Sequence, residues 1–525
     1  MAQIEHLNNT TIAIKSIAAI DLGTNSFHAV IVDIFSDGSF RQVDDLKEMV
    51  ELAKGGLGKR LAEPAFERGI EALRKIKVLS ESYGAERILA YATSAIREAE
   101  NGGEFIQKSI DELGIKINAI PGSMEAELIG YAVQHGIRLD EKPVLMVDIG
   151  GGSVEFILGN NEEFFFLTSR KIGVSRMTDI FKPKDPITRE DIVKLEAHYE
   201  EELSGVAKAL SEKNTDTIIG SSGTMQNIAL MIAARKKLPV NITLNELEFS
   251  AEDFFEFYDE FILLNEEKRT KISGLDLKRV GFINTGVVLV NLLIRKFDIK
   301  KVRISVQALR EGIIIRYAKK EMKGLSLSEQ IADPRRRSVF ELLRKCQWHE
   351  SHSTHVANLS LILFDKLKEE LSLEDEDREL LEYAAYMHDI GYYIAHSAHH
   401  KHALYIIRNA ELKGFRQEEI EIMANVARYH RRSTPKQRHS EYWKLNEGLR
   451  SRIRKLSGIL RVADGLDRSH FQNVQKLTVE STSKELILGI ETIDEPHLEM
   501  WGAMRKSLLL EEVTGKKLVI RKVEL

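Results

Sequence analysis

The sequence predicts a two-lobed α/β protein, followed by an all-α region and a small α+β unit. Three observations carry that expectation. The turns Asp21-Leu22-Gly23-Thr24-Asn25-Ser26 and Asp148-Ile149-Gly150-Gly151-Gly152-Ser153 repeat one chemistry. Each follows an apolar β-type run, Ser16-Ile17-Ala18-Ala19-Ile20 or Val144-Leu145-Met146-Val147. From about residue 338 to 475 the pattern changes to helical periodicity and takes in a large share of the histidines.

In a strand that ends in Asp and turns through Gly, backbone N–H groups face an anion while a carboxylate is left for the anion's metal. Glycine permits the close approach, and the N–H groups with Thr or Ser hydroxyls form an anion nest. Mg²⁺ is usually held by one or two carboxylates plus substrate phosphates, a role that suits Asp21 and Asp148. Two such turns predict a duplicated phosphate clamp.

The elements follow in order. Ala29-Val30-Ile31-Val32-Asp33-Ile34 continues the first sheet, and 67–82 reads as a helix, with Ile70, Leu73, Ile76 and Leu79 mostly three apart. Ile88-Leu89-Ala90-Tyr91-Ala92 is a short buried strand, and 125–135 is helical after the Pro121-Gly122 turn. The second lobe restarts at Val144, with 154–158 as hairpin partner and Thr217-Ile218-Ile219 as a later strand. Around 320–337 the chain turns polar and basic, which places a boundary there. After the helical region, 477–480 and 485–490 read as strands, 497–513 as one helix and 517–520 as a final strand, a ββαβ unit.

Whole-chain properties set limits. With 525 residues, two to four domains are expected, and 43% hydrophobic with 30% charged residues is the composition of an ordinary globular protein. A net charge of −5 gives no overall pull toward polyanions, so any such substrate needs local basic patches. Cys346 is the sole cysteine, which excludes an intrachain disulfide and fits a reducing compartment. No apolar run approaches the ~20 residues of a membrane helix. The first residues lack the basic and apolar regions of a signal peptide. A cytoplasmic protein with no membrane and no nucleic-acid partner is expected.

The paired turns resemble those of the actin-like ATPase superfamily. Ala19-Ile20-Asp21-Leu22-Gly23-Thr24-Asn25-Ser26-Phe27-His28, Ala92-Thr93-Ser94-Ala95-Ile96-Arg97, Asp148-Ile149-Gly150-Gly151-Gly152-Ser153-Val154-Glu155, Gly220-Ser221-Ser222-Gly223-Thr224 and Leu309-Arg310-Glu311-Gly312 resemble, more narrowly, the exopolyphosphatase/guanosine pentaphosphate phosphohydrolase family. The resemblance runs from about 17 to about 475. It implies an actin-like (ASKHA, ribonuclease H-like) fold with lobes over 1–135 and 136–325, a helical HD-like domain over 338–475 and a small α+β domain over 476–525.

The resemblance also assigns roles. Glu125, in Pro121-Gly122-Ser123-Met124-Glu125, is the base that activates water. Glu127, two residues on, faces elsewhere on the helix and is structural. Arg97 is a phosphate ligand or a salt-bridge partner between lobes. Glu155 helps hold metal or position water, beside Asp21 and Asp148 on Mg²⁺. Gly23, Thr24, Asn25, Ser26, Thr93, Ser94, Gly150, Gly151, Gly152 and Ser153 bind phosphate, joined by Ser222, Gly223 and Thr224. Arg310 and Glu311 are read as structural.

In the helical region His355, His388, Asp389 and Asp464 have the order of an HD-type phosphohydrolase, and such a set suits a divalent transition metal. His399, His400, His402 and His430 are further candidate ligands or phosphate contacts. A buried hydrogen-bonded network without metal is the other reading. Arg428, Arg431, Arg432, Lys436 and Arg438, and separately Arg450, Arg452, Arg454 and Lys455, form basic groups able to guide a polyphosphate chain or simply to solvate a helix face. The resemblance implies an exopolyphosphatase acting on inorganic polyphosphate, usually as a homodimer. Hydrolysis of guanosine pentaphosphate to tetraphosphate is the alternative substrate. A sugar-type kinase, a non-catalytic alarmone or polyphosphate sensor, and a chain whose main enzyme is the HD region are the rival classes.

Overall fold

In a computed structural model the chain is described at residues 13–35, 40–52, 59–139, 141–238, 243–321 and 333–523. It divides into two compact units, Met1–Pro334 and Arg335–Leu525. Among the described residues no helix is long and apolar enough to cross a membrane.

The first unit holds two sheets of parallel design. Strands β1 (Ala13–Leu22), β2 (Ser26–Phe35), β3 (Phe40–Met49), β4 (Arg87–Ala92) and β5 (Ile117–Ala119) lie in the order β3-β2-β1-β4-β5. Strands β6 (Val144–Ile149), β7 (Val154–Gly159), β8 (Phe164–Arg170), β9 (Thr217–Ser221), β10 (Glu248–Ser250) and β11 (Lys301–Ile304) lie in the order β10-β11-β9-β6-β7-β8. Each sheet opens with an antiparallel three-strand meander. Its first strand, β1 or β6, then pairs in parallel with a later one, β4 or β9.

Side chains alternate faces along a strand, and this parity decides where the polar strand ends point. Ile17 and Ala19 of β1, Val30 and Val32 of β2, Met146 of β6, Ile157 of β7 and Ile219 of β9 share one core layer between the sheets. Helices Gly122–Gly136 and Leu309–Glu321 fill that layer with Leu128, Ile129, Val133, Leu309, Ile313 and Tyr317. Gly312 lets the two helices touch, because a Cβ there would lie 2.0 Å from the Leu128 carbonyl. Ile20 and Leu22 face the opposite way, against Leu73 and Phe105, and Val147 and Ile149 face the outer core of the second sheet. Asp21, His28, Asp148, Glu155 and Ser221 therefore stand on the two faces that look at each other.

The second unit packs helices that include Pro334–Lys345, Glu350–Leu367, Asp375–Met387, His399–Arg408, Gln417–Tyr429 and Glu447–Gly465 with a sheet ordered β12 (Val474–Ser481), β13 (Glu485–Thr492), β14 (Lys517–Lys522). Two expectations change here. The single helix expected at 497–513 is two, His497–Lys506 and Leu508–Thr514, meeting at Ser507. The strands after 476 share one apolar core with the helices, through Leu486, Leu488 and Leu518. Part of the polar, basic stretch at 320–337, where a boundary is expected, lies outside the described residues. Its basic end opens a helix of the second unit: Arg335 is buried in the first turn, paired with Glu379 at 2.9 Å and Glu419 at 2.7 Å.

Candidate active site

The two turns have one backbone geometry. Gly23 N–H donates to the Ser26 carbonyl at 3.2 Å, and Gly150 N–H to the Ser153 carbonyl at 3.0 Å. A Cβ at either glycine would sit 3.0 Å from that same carbonyl. The turns also meet each other. A Cβ on Gly151 would lie 3.0 Å from the Asn25 amide nitrogen, and one on Gly152 would lie 2.2 Å from Ser94 Oγ and 3.0 Å from Thr24 Oγ1. Thr24 and Ser94 hydroxyls hydrogen-bond at 3.1 Å, and Asn25 Nδ2 donates to Ser175 Oγ at 3.1 Å. Thr93, buried, anchors the approach to Ser94 through its N–H and hydroxyl, both 3.4 Å from the Leu22 carbonyl.

The third loop closes on the second turn. Ser221 Oγ donates to Asp148 Oδ2 at 2.5 Å, and Ser222 Oγ to the Ile149 carbonyl at 2.9 Å. Gly223 leaves room for the Arg279 guanidinium, 1.9 Å from where a Cβ would stand. Thr224 is fully buried, its hydroxyl without a partner.

Four carboxylates face this junction. Glu125 lies in the first turn of its helix, where Gly122 allows the backbone against Ser169 of β8, and Ser169 Oγ donates to Glu155 Oε1 at 2.7 Å. Burial pushes Asp21 up to about 7, with Asp148 adding to the rise and Arg310 opposing it. Burial likewise pushes Glu125 up to about 8, against Arg97, with Asp21 and Asp148 adding to the rise. Glu155 is raised well above the carboxylate range by burial and then by Glu125 and Asp148. Asp148 is raised by burial, while the Ser221 hydroxyl, Arg279 and Arg310 pull it back. Such a concentration of perturbed acids marks a functional site. Asp21 Oδ1 is buried with no hydrogen-bond partner.

Arg97 points its Nη1 to Glu125 Oε2 at 3.1 Å and to the Ile120 carbonyl at 2.6 Å, so it holds Glu125 in place. Glu127 turns away and accepts from Tyr131 at 3.1 Å. Glu311 caps its helix, accepting from Ala308 N–H at 2.8 Å. Arg310 departs from the structural expectation: its guanidinium contacts the His28 ring and acts on both Asp21 and Asp148. Arg279 and Lys47 complete a cationic side that sequence reasoning missed. The quoted Leu309-Arg310-Glu311-Gly312 motif held the signal for Arg310. Arg279 sits in a short turn and Lys47 on a charged edge strand, where nothing singles them out.

The second unit gathers its own polar cluster. His352, His388 and Asp389 place ligand atoms within 4.8 Å of one another, as do Asp389, His399 and His430. Asp464 Oδ1 stands 3.7 Å from His352 Nε2 and 4.0 Å from His388 Nε2. This corrects one expected ligand. His355 is on the same helix as His352 but three residues on, and its charged neighbours are Asp467 and His352. The helical rotation brings His352, not His355, to the two aspartates.

A family model described as the Ppx/GppA phosphatase family matches residues 30–321, and one described as Ppx/GppA phosphatase, domain III, matches residues 335–512. A guanosine-5'-triphosphate,3'-diphosphate pyrophosphatase of Photobacterium profundum is 29% identical over 412 residues, which is 78% of this chain and 79% of the relative. A crystal structure of an exopolyphosphatase from Cytophaga hutchinsonii is similar with a TM-score of 0.56 and 30% identity, over 58% of this chain and 98% of that one. A family member from Aquifex aeolicus is similar with a TM-score of 0.51 and 27% identity, over 58% and 98%.

Proposed function

The chain belongs to the Ppx/GppA phosphatase family, hydrolases of phosphoanhydrides, and on that premise we propose that it is an exopolyphosphatase. It releases orthophosphate from the terminal phosphoanhydride of inorganic polyphosphate, in the layer between the two sheets of the first unit. The observation that carries this reading is Glu125. It is a buried carboxylate with a pKa near 8, held by Arg97 and set among Asp21, Asp148 and Glu155 where two phosphate-type turns meet.

Phosphoanhydride hydrolysis asks for charge neutralisation and an oriented water rather than covalent chemistry by the protein. In the proposed mechanism the N–H groups of the turns around Gly23 and Gly150–Gly152, with the Thr24 and Ser94 hydroxyls, bind the terminal phosphate. Ser222, Gly223 and Thr224 cradle the next. Glu125 takes the proton of the attacking water, and a positioned base of this kind contributes about 10²–10⁴-fold. Arg97 fixes Glu125 Oε2, and Glu155, fixed by Ser169, orients the water. The bridging P–O bond breaks and its electron pair leaves with the shortened chain, whose new charge faces Arg279 and Arg310. A divalent cation fits here: the donors are hard carboxylate oxygens, and Asp21 Oδ1 is buried without a partner. Asp21 and Asp148 would hold Mg²⁺, with Glu155 beside them, and the ion supplies positive charge to the phosphoryl oxygens.

Guanosine pentaphosphate ends in the same bond, and the Photobacterium relative, named for guanosine-5'-triphosphate,3'-diphosphate, favours it as a second substrate. The protein is read as a cytoplasmic homodimer. Orthophosphate release with Mg²⁺ from long polyphosphate and from guanosine pentaphosphate, on wild type and on Glu125→Ala, tests the reading. Glu125-dependent release from polyphosphate supports it, and faster release from the nucleotide moves the assignment to the second substrate. A wild-type rate in Glu125→Ala would sink the mechanism.

A further inference from the structure

The second unit contains a buried cluster that the proposed chemistry does not use. His352 and His388 are fully buried, and the Nε2 atom of each has no hydrogen-bond partner. Both face carboxylates. His388 Nε2 lies 3.5 Å from Asp389 Oδ2 and 4.0 Å from Asp464 Oδ1, and His352 Nε2 lies 3.9 Å and 3.7 Å from the same two oxygens.

The outer ring nitrogens decide which proton each imidazole carries. His388 Nδ1 is 2.6 Å from the Ala385 carbonyl, which can only accept, so Nδ1 is the donor. His352 Nδ1 is 2.7 Å from Asp467 Oδ2, again an acceptor. In the neutral ring the Nε2 lone pair is then left pointing inward. Two lone pairs and two carboxylate oxygens facing one point repel each other unless a proton or a metal cation stands between them. An outward Nδ1–H on a carbonyl or carboxylate is also how proteins orient a metal-bound histidine.

We propose that His352, His388, Asp389 and Asp464 bind one divalent transition-metal ion. Ligands about 2.0–2.2 Å from a tetrahedral ion stand roughly 3.4 Å apart. The four cross-distances of 3.5–4.0 Å therefore lie between about 0.1 and 0.6 Å above those of a loaded site. Two imidazoles with two carboxylates select a transition metal over Mg²⁺, which prefers oxygen alone. Lys506 engages Asp464 through Oδ2, which leaves Oδ1 for the ion. The facing set on Asp389 Oδ1, His399 at 3.1 Å and His430 at 3.5 Å, already has a cation: Arg431 donates to His399 Nε2 at 3.0 Å. One ion is expected, not two.

The test uses the full chain in an Asp21→Asn, Asp148→Asn background, which removes both carboxylates assigned to the cation of the lobes. Chelator-stripped protein is titrated with Co²⁺, followed by calorimetry and by the visible absorption of the bound ion. The expected result is one equivalent with an intense tetrahedral-type band. Asp464→Asn and His388→Gln should abolish the band, while Asp467→Asn, one shell out, weakens binding by about 10–100-fold. His355→Gln should leave the titration unchanged. Absence of binding by folded protein overturns the proposal, as does a band indifferent to Asp464→Asn or one lost in His355→Gln. Because the readout is binding, failure of the exopolyphosphatase reading would not disturb it.

Discussion

The two lobes of the first unit use one backbone device and opposite side-chain chemistry. β1 and β6 both carry Asp as their next-to-last residue and then turn through a glycine whose N–H meets a carbonyl three residues on. Across the hairpin, however, Asp21 pairs with His28, whereas Asp148 pairs with Glu155. On the parallel side Asp21 neighbours Tyr91, and Asp148 neighbours Ser221, which hydrogen-bonds it. His28 is held neutral, its pKa lowered to about 3 by burial and by Arg310 and Lys47. Cations reach both aspartates, Arg310 and Lys47 at Asp21 and Arg279 and Arg310 at Asp148, so what differs is the hairpin partner, a neutral ring in the first lobe and a second acid in the other. The difference teaches that an anion nest is a property of the backbone, while the division of labour around it belongs to the flanking strands.

The sharpest way to break that comparison is to exchange its paired positions. Glu155→Gln should cut orthophosphate release by about 10²–10⁴-fold, whereas His28→Gln should stay within about tenfold of wild type. Equal losses would mean that the two hairpins do the same work. Next comes the cation requirement. Asp21→Asn should raise the Mg²⁺ concentration for half-maximal release by about tenfold, roughly 1.4 kcal/mol, and an unchanged requirement would leave Asp148 as the sole holder.

A smaller effect is pH-dependent stability. Asp21 and Glu125 have folded-state pKa values of about 7 and about 8, above the ordinary carboxylate range. Between about pH 4.5 and 8 these two carboxyls therefore hold more protons in the folded chain than in the unfolded one, and their contribution to stability falls as pH rises through that window. His28 and His400, lowered to about 3 and about 4, act in the opposite sense below about pH 6.5, so the signal is the difference from a variant. In differential scanning calorimetry metal-free Glu125→Gln should gain on wild type in melting temperature from pH 5 to pH 8; a constant difference would contradict the raised Glu125. Smallest is Ser221→Ala, which removes one hydrogen bond to Asp148 worth about 1 kcal/mol. It should lower the melting temperature by a few degrees with no change at the first lobe.

Strand parity made much of this site legible. Once Ile17 and Ala19 are core, Asp21 must share their face, and the same count from Met146 reaches Asp148 and from Ile157 reaches Glu155. The turns and the helix carrying Glu125 were readable from glycine and apolar spacing. Arg279 and Lys47 were not, because their place depends on how distant elements pack and no local period records that. His355 illustrates a finer limit. The HD-type resemblance points to His355 as the partner of Asp389 and Asp464, but His352 and His355 lie three apart, nearly one turn, and only tertiary packing chooses between them. The break at Ser507 is of the same kind, since helical periodicity continues across it.

The helix Leu309–Glu321 follows the last strand of the second sheet, yet Leu309, Ile313 and Tyr317 lie in the core layer with Ile17 and Val30 of the first. Chains leave the ribosome from the N-terminus, and domains generally fold as they emerge. Here the opening strands wait for a segment made some three hundred residues later. A nascent chain stalled before Leu309 carries an uncovered apolar sheet face and lacks Arg310 beside Asp21. Arg310 therefore reaches Asp21 and Asp148 only after both lobes are synthesised, so the charge balance of the clamp is completed last.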